Sequence, residues 1–128
     1  MKILIIDDDD MIRRIARAAL GRGGGMEVHD AESGEEGLRL AATERPDCIL
    51  LDVMMPGMSG EATLEALRGS PETAEIPVVF LTASSDPEDV ARLEALGACG
   101  VLGKPFDPMA LAGQVRMLIE GNSIDAMG

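Results

Sequence analysis

The stretch Cys48-Ile49-Leu50-Leu51-Asp52-Val53-Met54-Met55-Pro56-Gly57-Met58-Ser59-Gly60 decides the reading of this chain. An apolar run with no polar alternation ends abruptly in one carboxylate. A loop marked by Pro56, Gly57 and Gly60 follows. Such a run reads as a strand buried on both faces, which is what a parallel sheet makes. Asp52 then falls at the strand's C-terminal end, the edge where open α/β sheets bind ligands. Asp also opens turns for purely local reasons, so the remaining strands have to decide between the two readings.

Working outward, the same pattern recurs. Lys2 to Ile6 is an apolar strand ending in Asp7-Asp8-Asp9-Asp10. Ile76 to Leu81 is another and ends in Thr82. Gly100 to Gly103 is a short one ending in Lys104-Pro105, and Met26 to Ala31 is more polar and suits a sheet edge. Helical spacing fills the gaps. Met11 to Leu20 is apolar at Ile12, Ile15, Ala16, Ala19 and Leu20, with Asp9 or Asp10 as cap and Gly21 and Gly23 to Gly25 as stop signals. Ser33-x-x-Glu36 is a capping box for a helix to about Glu44, ended by Pro46. Ser59 to Arg68 is a third helix. Asp86-Pro87 and Asp107-Pro108 each place a cap before a proline at the first helical position. Gly97 closes the fourth helix, and the fifth runs to about Glu120. Residues 122–128 read as a frayed tail after a single domain over 1–121.

The order βαβαβαβαβα predicts a parallel sheet with helices on both faces, joined by right-handed crossovers. All strand C-termini then share one edge. Asp7, Asp8, Asp52, Thr82 and Lys104 should therefore meet, although they are far apart in sequence. Each has a bland reading: an acidic turn, a turn hydroxyl, a surface lysine. The helix-capping reading accounts for Asp9 and Asp10 but leaves Asp7 and Asp8 unexplained. Three carboxylates at one point repel and raise one another's pKa. Lys104 or a divalent cation can relieve this. A hard, oxygen-only set with open positions suits Mg²⁺, which favours phosphate as a further ligand. A carboxylate nucleophile attacking phosphorus gives an acyl phosphate.

Composition narrows the function classes. Of 128 residues, 23 are acidic and 11 basic, a formal net charge of −12, so the chain should be repelled by nucleic acid and anionic membranes. No apolar run is long enough to span a bilayer, and a signal peptide would need a longer N-terminal run and a small-residue cleavage site. Phe80 and Phe106 are the only aromatic residues, so the core is aliphatic. Cys48 and Cys99 read as free thiols in a reducing cytoplasm, and the lone His29 as a solvated surface residue.

Ile5-Ile6-Asp7-Asp8, Leu51-Asp52-Val53-Met54-Met55-Pro56-Gly57-Met58-Ser59-Gly60, Leu81-Thr82-Ala83 and Gly103-Lys104-Pro105-Phe106 together resemble the receiver domain of two-component response regulators. The resemblance covers about Met1 to Glu120. It implies a flavodoxin-like, doubly wound (βα)5 three-layer sandwich with strand order 2-1-3-4-5. It implies that Asp52 accepts a phosphoryl group from a sensor histidine kinase or a histidine phosphotransfer protein. Asp8 and Asp52 would hold Mg²⁺ directly, Asp7 largely through water, and the Met54 backbone carbonyl would be a further ligand. Thr82 would be the switch hydroxyl and Lys104 the phosphate partner, with a cis bond to Pro105. The surface of helix four, strand five and helix five would then act on an effector, and a phosphorylation-dependent homodimer is compatible with this. The family's switch aromatic falls here on Val101, which cannot swing as a ring does.

Two other classes fit less well. A phosphohydrolase would want a second carboxylate at Met54, so the expectation is a signalling module rather than a turnover enzyme. A flavodoxin-like electron carrier would want aromatics and a Ser/Thr-rich loop after strand one, where this chain is acidic.

Overall fold

The computed structural model describes residues 1–127, with side chains through Gly121. Five strands form one parallel sheet: β1 (Lys2–Ile6), β2 (Glu27–Ala31), β3 (Cys48–Asp52), β4 (Val78–Thr82) and β5 (Gly100–Gly103). Their spatial order is β2-β1-β3-β4-β5, as the resemblance implies. Helices α1 (Asp10–Arg17), α2 (Gly34–Glu44), α3 (Gly60–Arg68), α4 (Pro87–Ala95) and α5 (Pro108–Met127) complete three layers.

Alternating side chains of the sheet enter two separate cores, because successive residues of a strand point to opposite faces. Leu4, Ile6, Ile49, Leu51 and Phe80 pack with Ala41, Leu64, Leu67 and Leu93, under α2, α3 and α4. Ile3, Ile5, Leu50, Val79 and Leu81 pack with Ala16, Leu20, Leu111 and Val115, under α1 and α5. The central strands β3 and β4 are buried along their whole length, whereas β2 is mostly half-exposed, as an edge strand should be.

The caps follow the sequence. Asp9 accepts from the N–H groups of Met11 and Ile12, Ser59 from Ala62, and Asp86 from Glu88. Ser33 accepts from the Glu36 N–H (3.2 Å), the forward half of the capping box. Pro77 has no N–H to give a ladder, and β4 starts only at Val78, later than the expected Ile76.

Three expectations need correction. The first helix does not stop at Gly21. It continues as one π-helical turn, Ala18–Arg22, which keeps Leu20 fully buried and brings the Leu20 carbonyl to the Met26 N–H (3.0 Å). Its buried residues also include a charged one, Arg13. His29 is half-buried rather than solvated: its Nε2 lies 2.7 Å from Glu27 and 3.4 Å from Glu44. The Lys2 ammonium sits 3.6 and 3.5 Å from the same two carboxylates and supplies the cation there. The last helix runs past its expected end near Glu120, and the side chains of the expected tail, 122–128, lie outside the described residues. Cys48 and Cys99 are free. Among the described residues, no helix is long and apolar enough to cross a membrane.

Candidate functional site

The C-terminal sheet edge brings the expected residues together. β1 ends at Ile6, and the Asp7 N–H still reaches the Ala31 carbonyl of β2 (3.1 Å), so Asp7 leaves the strand in a fixed direction. Asp52 is the last residue of β3, one strand over. Thr82 ends β4 and pairs with Gly103, and Lys104 follows directly. Of the four acids after β1, Asp9 caps α1, Asp10 pairs with Arg14 (3.0 Å), and Asp7 and Asp8 lie beside Asp52.

Asp7 is fully buried and Asp52 is 5% exposed. The Lys104 ammonium bridges them, 2.7 Å from Asp7 Oδ2 and 3.0 Å from Asp52 Oδ1. Asp7 Oδ1 accepts from the Asp9 N–H (2.9 Å). Beyond the charge contact with Lys104, no aligned donor among the described residues satisfies the buried Asp7 Oδ2. Burial pushes the Asp52 carboxyl up to about 6; Lys104 opposes this, and Asp7 and Asp8 add to it. Burial pulls the Lys104 ammonium down, but its bonds to Asp7 and Asp52 outweigh that, and it is raised.

Asp7, Asp8 and Asp52 each offer a carboxylate oxygen, all within 4.8 Å of one another. Three carboxylates against one ammonium leave two formal negative charges. That excess of negative charge and the hard, oxygen-only donors fit a divalent cation such as Mg²⁺. Met54 presents its N–H to Asp52 Oδ1 (3.4 Å), which sets its peptide beside the carboxylate, while its side chain is 80% exposed.

The loop after β3 is tight. A Cβ on Gly60 would collide with the Asp52 carbonyl oxygen, and the Gly60 N–H bonds the Val53 carbonyl (3.0 Å). Only glycine lets α3 start this close behind the strand. Across the site, Thr82 Oγ1 accepts from the Ser84 N–H (3.0 Å), and the Lys104–Pro105 bond is cis.

The profile of the family described as "Response regulator receiver domain" matches residues 3–116. The chain belongs to this family. It is a receiver domain of the response regulators of two-component systems. It is 38% identical over 122 residues to the KDP operon transcriptional regulatory protein KdpE of Escherichia coli, covering 94% of this chain and 52% of that one. It is 38% identical over 117 residues to the transcriptional regulatory protein AfsQ1 of Streptomyces coelicolor, covering 91% and 50%. The chain thus spans about half the length of the curated relatives it matches. Among solved structures, chemotaxis response regulator CheY4 of Vibrio cholerae superposes with a TM-score of 0.84 at 35% identity, covering 91% of this chain and 97% of that one.

One receiver residue beside this cluster escapes a reading of the sequence. Arg13, on α1, donates Nη1–H to the Asp7 carbonyl (2.8 Å) from a buried position. In the sequence it is one arginine of an amphipathic helix, and such arginines are usually solvated. The only signal for it is its place one turn after the acidic run.

Proposed function

We propose that this receiver takes a phosphoryl group from a phosphohistidine onto Asp52. What supports the reading most is the Lys104 ammonium 3.0 Å from Asp52 Oδ1, at the end of a fully buried central strand. A carboxylate oxygen of Asp52 attacks phosphorus, the bond from phosphorus to the histidine nitrogen breaks, and the electron pair leaves with the imidazole. Lys104 offsets the charge that accumulates on the phosphoryl oxygens. Thr82 keeps a hydroxyl proton to donate to one of those oxygens, since its oxygen only accepts in the present arrangement. Asp8 and Asp52 directly, Asp7 largely through water and the Met54 carbonyl would hold Mg²⁺, which supplies further neutralisation of phosphoryl charge when bound.

The donor is a sensor histidine kinase or a histidine phosphotransfer protein, in the cytoplasm. Met54 stands where a hydrolase would carry a second carboxylate, so the acyl phosphate should persist as a signal rather than turn over. The modification adds roughly −1.5 to −2 charge at the sheet edge and changes the α4–β5–α5 surface that meets an effector. With a net charge of −12, the chain is a poor direct ligand for nucleic acid.

Incubation with acetyl phosphate, read by intact mass, tests this. One phosphoryl group should be gained with Mg²⁺ and none with EDTA. Undiminished labelling of Asp52→Asn would sink the assignment.

A further inference from the structure

Arg13 is a buried cation that the phosphoacceptor chemistry does not itself require. Its residue is 9% exposed, and three of its nitrogens each have a different partner. Nη1 donates to the Asp7 carbonyl (2.8 Å), Nε to Asp30 Oδ2 (3.0 Å) and Nη2 to Asp10 Oδ1 (3.1 Å). Asp30 is itself held by Arg17, whose Nη1 lies 2.8 Å from the other carboxylate oxygen. The guanidinium therefore ties the turn after β1 to a fixed point on the edge strand β2.

The consequence concerns Asp8. The Asp7 carbonyl and the Asp8 N–H belong to one planar peptide group. A hydrogen bond that fixes the carbonyl fixes the plane, and with it the direction in which Asp8 departs. Asp8 is exposed, so packing does not aim it. Every other polar group of Asp7 is already engaged: its N–H by Ala31, Oδ1 by Asp9 and Oδ2 by Lys104. Among the described residues, only Arg13 holds the carbonyl. A lysine could not replace it, because one ammonium on a flexible stem cannot span three partners in a planar fork.

We propose that Arg13 is a positioning residue for the divalent-cation site, acting through the Asp7–Asp8 peptide with Asp30 as its anchor. This rests on the reading that the acidic cluster binds Mg²⁺. The sign of the effect separates positioning from plain electrostatics. Arg13 is a positive charge near a cation site, so by charge alone its removal should strengthen Mg²⁺ binding. By positioning, its removal weakens binding.

Calorimetric titration with MgCl₂ at neutral pH, on the full chain, tests this. Arg13→Gln and Arg13→Lys should each lose about tenfold in Mg²⁺ affinity, the size usual for residues that orient metal ligands. Arg17→Gln, which loses a charge from the same network without touching Asp7, should stay within about twofold of the parent. Unchanged or tighter binding by Arg13→Gln overturns the proposal. Should circular dichroism show both Arg13 variants unfolded, Asp30→Asn decides: a loss of about threefold supports the anchor, and parental affinity overturns it. If the parent chain takes up no Mg²⁺, the cation reading falls and the proposal falls with it.

Discussion

Asp52 is a carboxylic acid kept from ionising fully by its own surroundings. Its pKa is up to about 6 from an ordinary 3.8, through burial first and then through Asp7 and Asp8, with only Lys104 opposing. The folded state therefore binds this proton more tightly than the unfolded state does. The associated stability is fully present below the unfolded value near 3.8 and is lost as pH rises through about 6. Without metal, Asp52→Asn should be more stable than the parent at about pH 7.5, by on the order of 1 kcal/mol, and the gap should shrink towards pH 5. Urea melts in EDTA at the two pH values measure this; a gap independent of pH would contradict the raised carboxyl. Mg²⁺ binding should weaken below about pH 6, where the proton competes for the same oxygens. The residues involved were legible in the sequence because topology alone carries strand ends to one edge. Arg13 was not legible, because nothing local distinguishes an arginine that is buried against a carbonyl from one that is solvated.

Among the elements, strands were read more reliably than helix ends. β1, β3 and β4 are built on short apolar runs, whose length and flanking turn signals favour strand over helix. The first helix misled because Gly21 looks like a stop signal. Its Cβ position is open apart from the Met26 carbonyl at 3.8 Å, so the glycine marks no forced turn, and the helix continues in π register to bury Leu20. That continuation shapes the groove between α1 and α5, a cavity of about 410 Å³ lined by Ile15, Ala18, Ala19, Pro108 and Met109 among others. Met109, in the first turn of α5, is 93% exposed, and Met11, in the first turn of α1, is 67% exposed, both just after strand ends at the edge that carries Asp52. If a phosphohistidine is the donor, it would approach that edge, and these residues are where it would find apolar contact. Ile15→Asp should slow phosphotransfer from the kinase by about tenfold while leaving acetyl phosphate labelling within about twofold. Equal slowing of both would mean that the substitution damages the fold rather than the docking.

Across the whole molecule, if Asp52 takes up a phosphoryl group, the added charge would have to reach the proposed output surface beyond α4. A rotating ring cannot carry it, since Val101 has one branched torsion and sweeps little volume. The structure offers another connection. Thr82 Oγ1 holds the Ser84 N–H (3.0 Å), Ser84 Oγ accepts from the Asp86 N–H (3.2 Å), and it donates to Asp89 Oδ2 (2.7 Å) in the first turn of α4. If Thr82 turns to donate to a phosphoryl oxygen, Ser84 loses its partner or moves with it. Either outcome pulls on the cap of α4. The helix can respond, because Leu93 is its one buried residue and its tie to α3 is a largely exposed pair, Arg92 with Glu61 (2.6 Å). A cavity of about 220 Å³ between Thr82, Ser84, Val90 and Val101 gives the loop room to move. Beryllofluoride with Mg²⁺ should therefore produce its largest amide shifts over Ala83 to Val90, with smaller ones at Val101. In Ser84→Ala the shifts at Ala83 should remain, while those at Asp89 and Val90 should fall by about half or more, because the hydroxyl relay is cut. A dominant change at the Val101 methyls with a static Ala83 to Val90 would exclude this route, since the signal would then be crossing β5 directly.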